Sequence, residues 1–254
     1  MSNTGISLEK RAEKVNIILS KNNIPDDVVL RVGCALDKSG SAKPFYDNGQ
    51  MQELVDRLLG VSYRFDDNGE IDMWLFHNNS MEAPVAQSSS YGNYVENEIM
   101  QNPQLKNSWG GTSYAPVLKD ITSHYFPSLT STKSEKVGFL GKLLGKKKES
   151  QQTPVSVDEL KGEESIPALA LFITDGENND ESETEKVIME TASKPIYWMM
   201  VGVGDRSSFG FIKRMADKYD HVGMVVFDNL DISDEIMYES LLNGELSEWI
   251  KNRR

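Results

Sequence analysis

The stretch VVLRVGCALDKSGS, residues Val28–Ser41, decides how the chain is read. Val28, Val29, Leu30 and Val32 form an apolar, β-branched run typical of a strand. The run stops at Asp37, in a loop that carries Ser39, Gly40 and Ser41. A carboxylate beside two alternating hydroxyls gives a poor hydrophobic loop. It gives a good half-shell for a hard divalent cation, which prefers oxygen ligands. At the carboxyl end of a parallel strand, such a loop lies where α/β sheets bind ligands. The other half of the shell must come from elsewhere in the chain.

Working outward, Leu8, Ala12, Val15 and Ile18 or Leu19 recur at helical spacing behind Ser7, so an N-terminal helix is predicted over residues 7–22, ended by Asn22, Asn23 and Pro25. Met51, Leu54, Val55, Leu58 and Leu59 predict a helix over Phe45–Leu59 that returns across the sheet. A turn at Asp66–Gly69 leads into a strand at Ile71–Phe76, and Pro84–Ala86 reads as an edge strand, where proline is tolerated. Val95–Met100 and Tyr114–Tyr125 read as helices. The continuous apolar run IPALALFIT, Ile166–Thr174, is that of a central strand buried on both faces. It is followed by a helix at Glu181–Ala192, a strand at Ile196–Val203, a helix at Ser208–Lys218 and a strand at Val222–Phe227. Helices at Asp231–Leu242 and Leu246–Ile250 close the chain. This alternation implies an α/β, doubly wound parallel sheet with ligands at its carboxyl edge.

The 254 residues suit one domain spanning residues 1–254, and a 39% apolar, 26% charged composition is that of a soluble globular protein. No apolar run approaches the ~20 residues of a membrane helix, and MSNTGISLEK lacks the order of a secretory signal. The single cysteine, Cys34, lies in the apolar strand and reads as a small buried side chain, in keeping with a reducing cytoplasm. A net charge of −12 argues against a nucleic-acid backbone as ligand and favours cations and basic partners.

Between residues 127 and 165 the composition shifts to Ser, Thr, Lys, Glu and Gln, as in a flexible insertion. Within it, Val137–Lys148 (VGFLGKLLGKKK) admits two readings: a basic amphipathic helix for a partner or membrane surface, or apolar residues docked on the domain with solvated lysines. The second is preferred, because the piece is short and interrupted by Gly138, Gly141 and Gly145.

Two further segments offer oxygen ligands. In NSWGGTSY, residues 107–114, Gly110 and Gly111 permit a tight turn that presents the Thr112 hydroxyl, and the apolar strand at 166–174 ends at Asp175. In a doubly wound sheet the ends of the first and fourth strands are neighbours, so Asp37, Ser39, Ser41, Thr112 and Asp175 can converge. Two carboxylates neutralise a divalent ion, and three hydroxyls withdraw little of its positive character. Mg²⁺ suits this set first, with Mn²⁺ or Ca²⁺ as alternatives, and one position stays open for an outside oxygen, best a partner's carboxylate.

LDKSGS, GGTSYAPVL and FITDG, in this order and each at a strand end, resemble the Asp-x-Ser-x-Ser, Thr and Asp elements of the metal-ion-dependent adhesion site in von Willebrand factor A domains. The resemblance covers about Val28 to Asp228 apart from the insertion. It implies a Rossmann-like, mostly parallel sheet with one antiparallel edge strand and helices on both faces. It also implies that Ser39, Ser41 and Thr112 touch the metal, with Asp37 and Asp175 holding it directly or through water. SLEKRAEKVNIIL is similar to the lead-in of bacterial A domains near tellurite-resistance and stress-response (Ter) clusters. Ala42, Lys43 and Pro44 depart from the usual apolar start of the next helix. The expectation is a non-enzymatic, cytoplasmic module that binds an Asp or Glu of a protein partner through a divalent metal.

The alternative is an enzyme. Asp175, Gly176 and Asn178–Asp180 also resemble the late acidic element of haloacid-dehalogenase-like phosphatases, where Asp37 would attack phosphorus with Mg²⁺ present. That chemistry wants a general acid two residues after the nucleophile, and Ser39 stands there. His77, His124 and His221 share no metal-ligand spacing and read as surface or packing residues, His77 on the rim of the metal face. Asp205 and Arg206 are further rim candidates. Trp74 and Trp198 read as strand packing, and Trp109 as an exposed contact residue.

Overall fold

The computed structural model describes residues 6–66, 68–130, 160–176 and 178–253. Helix α1 (Leu8–Lys21) begins at Ser7, whose Oγ accepts from the Lys10 amide at 3.4 Å, as a serine cap should. Strand β1 runs from Arg31 to Asp37. The three apolar residues before it, Val28–Leu30, lead in without pairing as strand; Val28 and Leu30 are buried while Val29 is exposed.

The single helix predicted over Phe45–Leu59 is two, α2 (Lys43–Asp47) and α3 (Gln50–Phe65). The chain breaks between them at Gly49, whose φ of +82° an L side chain rarely adopts. Strand β2 (Ile71–Phe76) is followed by β3 (Ser80–Ala86), an antiparallel edge strand longer than its apolar residues suggested and containing Pro84. Val95–Met100 is a single π-helical turn. Helices α4 (Ala115–Tyr125) and α5 (Pro127–Thr130) precede β4 (Ala168–Thr174), α6 (Glu181–Thr191), β5 (Ile196–Val203), α7 (Gly210–Lys218), β6 (Val222–Phe227), α8 (Asp234–Leu241) and α9 (Gly244–Lys251). Ser128 donates from both its amide and its hydroxyl to Glu164, at 3.1 and 2.7 Å, holding the two ends of the 127–165 segment together. The Val137–Lys148 stretch lies outside the described residues.

Sheet order is β3-β2-β1-β4-β5-β6, parallel throughout except for β3. Successive side chains turn to opposite faces. Cys34, Leu36, Leu171, Ile173 and Met199 pack under α1, α3, α8 and α9. Ala35, Phe172, Trp74, Trp198 and Met200 pack under α4, α6 and α7. Both faces being covered explains why every residue of β4 and β5 is buried and why those strands read as unbroken apolar runs. Cys34 is a fully buried free thiol, and Trp74 and Trp198 are core residues.

The helices on the first face are pinned by one buried acid. Asp234, at the start of α8, meets Arg57 Nε at 3.0 Å, Lys14 Nζ at 3.2 Å and Arg11 Nε at 3.5 Å, so three cations from α1 and α3 share its carboxylate. Asp234→Ala leaves two buried guanidinium groups only Glu53 and the Leu230 and Ile232 carbonyls and should lower unfolding free energy by about 3 kcal/mol in urea titration, whereas Lys14→Ala, at the partly exposed end of the network, should cost about 1 kcal/mol or less.

Candidate metal centre

Strand order places the site. The direction of winding reverses between β1 and β4, and their register (Leu36 opposite Ile173) brings Asp37 beside Thr174 and Asp175 at the carboxyl edge. The Asp37 carboxylate accepts from the Ser39 amide at 2.7 Å through Oδ1 and from the Thr174 hydroxyl at 2.7 Å through Oδ2. Its own carbonyl accepts from the buried Tyr46 hydroxyl at 2.9 Å. Ser39 Oγ lies 3.0 Å from Ser41 Oγ, and Ser41 Oγ donates to Asp175 Oδ1 at 3.1 Å. Side-chain contacts therefore join Asp37, Ser39, Ser41 and Asp175.

Thr112 joins them through its loop. Gly110 bridges to Ser39 in parallel fashion, its carbonyl accepts from the Gly40 amide at 3.0 Å, and the Thr112 carbonyl accepts from the Asn179 amide at 2.8 Å. Among the described residues the Thr112 hydroxyl makes no hydrogen bond to the other four. Gly111 allows Asn78 to pack against the loop: a Cβ there would lie 2.5 Å from Asn78 Oδ1 and displace that side chain. Asp37 and Ser39 are buried, Thr112 and Asp175 half-buried and Ser41 exposed, so the cluster opens on one side.

Its electrostatics are unbalanced. Neither Asp37 nor Asp175 has a cationic partner among the described residues. Burial, and then repulsion from Asp175, pushes the Asp37 carboxyl from its usual 3.8 to about 6, against the hydrogen bonds from Ser39 and Thr174. Burial likewise raises Asp175, with the serine hydroxyls opposing. Two carboxylates short of positive charge, beside facing hydroxyls, fit a hard divalent cation. No cluster of three or more His, Cys, Asp or Glu side chains able to hold a metal occurs among the described residues, so a cation here would depend on the hydroxyls for half its ligands.

Sequence reading missed several supports. Thr174 closes an apolar run with a hydroxyl, the signal of a strand end turned polar, and it holds the Asp37 carboxylate. Asp180 accepts from the Tyr114 and Ala115 amides, each at 2.9 Å, and from Asn178 and Thr184, so it caps α4 from a loop 65 residues away. The phosphatase alternative would use this acid at a metal. Among the rim candidates, His77 Nδ1 accepts from the Asn78 amide at 2.6 Å, Asp205 caps Ser207 at 2.9 Å, and Arg206 lies 3.5 Å from Asp228. Trp109 is half-buried, edge-on to Tyr46, and not freely exposed.

A family model described as "vWA found in TerF C terminus" (vWA-TerF-like) matches residues 29–140 and 131–254, two segments that overlap inside the compositionally shifted stretch. The chain belongs to the vWA-TerF-like family. This vWA chain is 28% identical over 254 residues to the uncharacterized protein YcbR of Bacillus subtilis (strain 168), a match covering 98% of the chain and 88% of YcbR. Among solved structures, proximal thread matrix protein 1 from the mussel byssus superposes with a TM-score of 0.52 at 13% identity, over 85% of this chain and 48% of that one. Another structure of the same protein gives 0.50 at 14%, over 84% and 47%. The vWA chain thus spans about half the length of those two solved chains, and the likeness is one of fold.

A raised folded-state value means that the native vWA domain holds the Asp37 proton more tightly than the unfolded chain does. The Asp37 contribution to metal-free stability should therefore be greatest below about pH 4, fall as pH rises to about 6, and level off. Asp37→Asn should remove that decline and, in EDTA at pH 7, leave the protein more stable than wild type by up to about 3 kcal/mol, read by urea unfolding across pH.

Proposed function

We propose that this vWA domain is a divalent-cation-dependent protein-binding module, without turnover, that takes a carboxylate from an Asp or Glu of its partner. The observation that carries the reading is the pair of carboxylates, Asp37 and Asp175, left without a cationic partner among the described residues, beside Ser39 and Ser41 at the open carboxyl edge. Asp37 and Asp175 would hold the cation, with Ser39, Ser41 and Thr112 as neutral oxygen donors. A bound Mg²⁺, or Mn²⁺ or Ca²⁺, would supply an electrophilic position for an outside carboxylate oxygen. Thr174 and the Ser39 amide keep the Asp37 carboxylate oriented while its lone pairs remain available.

The family description names TerF, and on that likeness we assign the module to tellurite resistance or stress response, in the cytoplasm. No helix among the described residues is long and apolar enough to cross a membrane. The acidic character of the chain disfavours nucleic acid as a partner.

Isothermal titration should register binding of Mn²⁺ and Mg²⁺, and Asp37→Ala or Asp175→Ala should weaken it at least about a hundredfold, since each removes one of two charged ligands; unchanged affinity removes the reading. Because ligation requires the Asp37 carboxylate, affinity should fall by about tenfold per pH unit below about pH 6. Partner capture should occur in Mg²⁺, be lost in EDTA, and be lost when one partner Glu or Asp is changed to its amide. Phosphatase assays with and without Mg²⁺ should show no turnover.

A further inference from the structure

Lys38 stands between two of the five proposed ligands, and its side chain is fully buried. Its amide donates to the Phe76 carbonyl at 2.7 Å, so the chain is still pairing with β2 at this point, and alternation turns the side chain away from the Asp37 and Ser39 side. The ammonium finds no hydrogen-bond acceptor among the described residues. It lies 3.4 Å from the centre of the Trp109 ring and 5.1 Å from that of Tyr46, with Tyr46 edge-on to Trp109 at 5.3 Å. Lys43 Nζ approaches the same indole at 5.7 Å.

Burying an ammonium without an ion partner is costly, and an aromatic face returns only part of that cost. For folding alone a methionine would fill the space. Trp109, however, begins the loop that carries Thr112, and the loop between them is Gly110–Gly111, which has no side chains to stiffen it. The Gly110 amide donates to the Lys38 carbonyl at 3.4 Å, so Lys38 grips this loop by main chain and side chain together.

We propose that Lys38 and Trp109 are a positioning pair: the ammonium seated on the indole sets where Thr112 stands relative to Ser39 and Ser41, and thereby sets metal affinity. This rests on the metal-binding reading above. Loss of the Lys38 charge would by itself tighten cation binding, so the informative change is at Trp109, which leaves the ammonium in place.

The test is a double-mutant cycle on the full chain with Mn²⁺ as probe, read by isothermal titration. Thr112→Ala and Trp109→Leu should each weaken binding by about tenfold, the low end of what loss of a group that orients a metal ligand costs in affinity, Trp109→Phe should weaken it less, and the Trp109→Leu/Thr112→Ala double variant should bind no more weakly than about tenfold, because a misplaced Thr112 has nothing left to lose. Losses that multiply to about a hundredfold in the double variant, or wild-type affinity in Trp109→Leu, overturn the pairing. If Trp109→Leu gives no cooperative melt, the same cycle with Lys38→Met decides it: no added loss from Thr112→Ala supports the pairing, and a full added tenfold overturns it. Failure of the underlying reading has a separate signature, since wild type would then bind no Mn²⁺ or Asp37→Ala would bind it equally well, and that result ends both.

Discussion

Parallel pairing of β1 with β4 is the constraint on which the site depends. The two strands are separated by some 130 residues of sequence, yet their register places Asp37 next to Thr174, whose hydroxyl donates to the Asp37 carboxylate at 2.7 Å. Without that adjacency Asp175 would have no route to Ser41. The adjacency follows from elementary requirements: both strands are apolar on both faces, both need cover from helices, and the winding reverses between them. The crevice at the reversal is where side chains after the last strand residue meet no helix of their own sheet crossing.

The cost of such a crevice is electrostatic. Asp37 is almost wholly buried and pushed up to about 6, so its charged form, which still predominates at neutral pH, is held at a cost in the absence of a cation. The fold tolerates this because stability is concentrated elsewhere. The apolar layers on both faces are continuous, and Asp234 gathers Arg11, Lys14 and Arg57 into one network that joins α1, α3 and α8. A domain held by its core and that network can keep two repelling carboxylates at its edge.

Much of this was legible because apolar runs stop at oxygen side chains. Strands at Ile196–Val203 and Val222–Phe227 stand where the pattern put them, and so does the meeting of Asp37, Ser39, Ser41 and Asp175. What escaped reading was non-local or conformational. A glycine at φ +82° splits α2 from α3, and periodicity alone carries the apolar pattern across the break. The edge strand extends back to Ser80 because β2 supplies its hydrogen bonds, not because its side chains alternate in polarity. Asp180 caps a helix distant in sequence, which no window along the chain can show. Lys38 carries no signal at all, since a lysine is expected at the surface.

In a chain with a net charge of −12 an acidic side chain is uninformative by itself, and what separates the acids is how each is neutralised. Asp234 is buried against three cations, and Asp72 accepts from Tyr125 at 2.9 Å with His124 3.4 Å away. Asp56, also buried, fills its Oδ1 with the Gly92 amide and the Gln52 amide group, each at 2.8 Å, and feels the nearby Arg11. Each of these has an internal answer to its charge, and so a structural reason to be there. Asp37 and Asp175 have hydroxyl and amide donors but no cation among the described residues, and the charge of Asp175 adds to the burial that raises Asp37. Lys38, the one cation adjacent in the chain, has its ammonium seated on the Trp109 indole. A fold that buries an ammonium next to two carboxylates without letting them pair leaves, among the described residues, an edge whose charge suits a cation from outside.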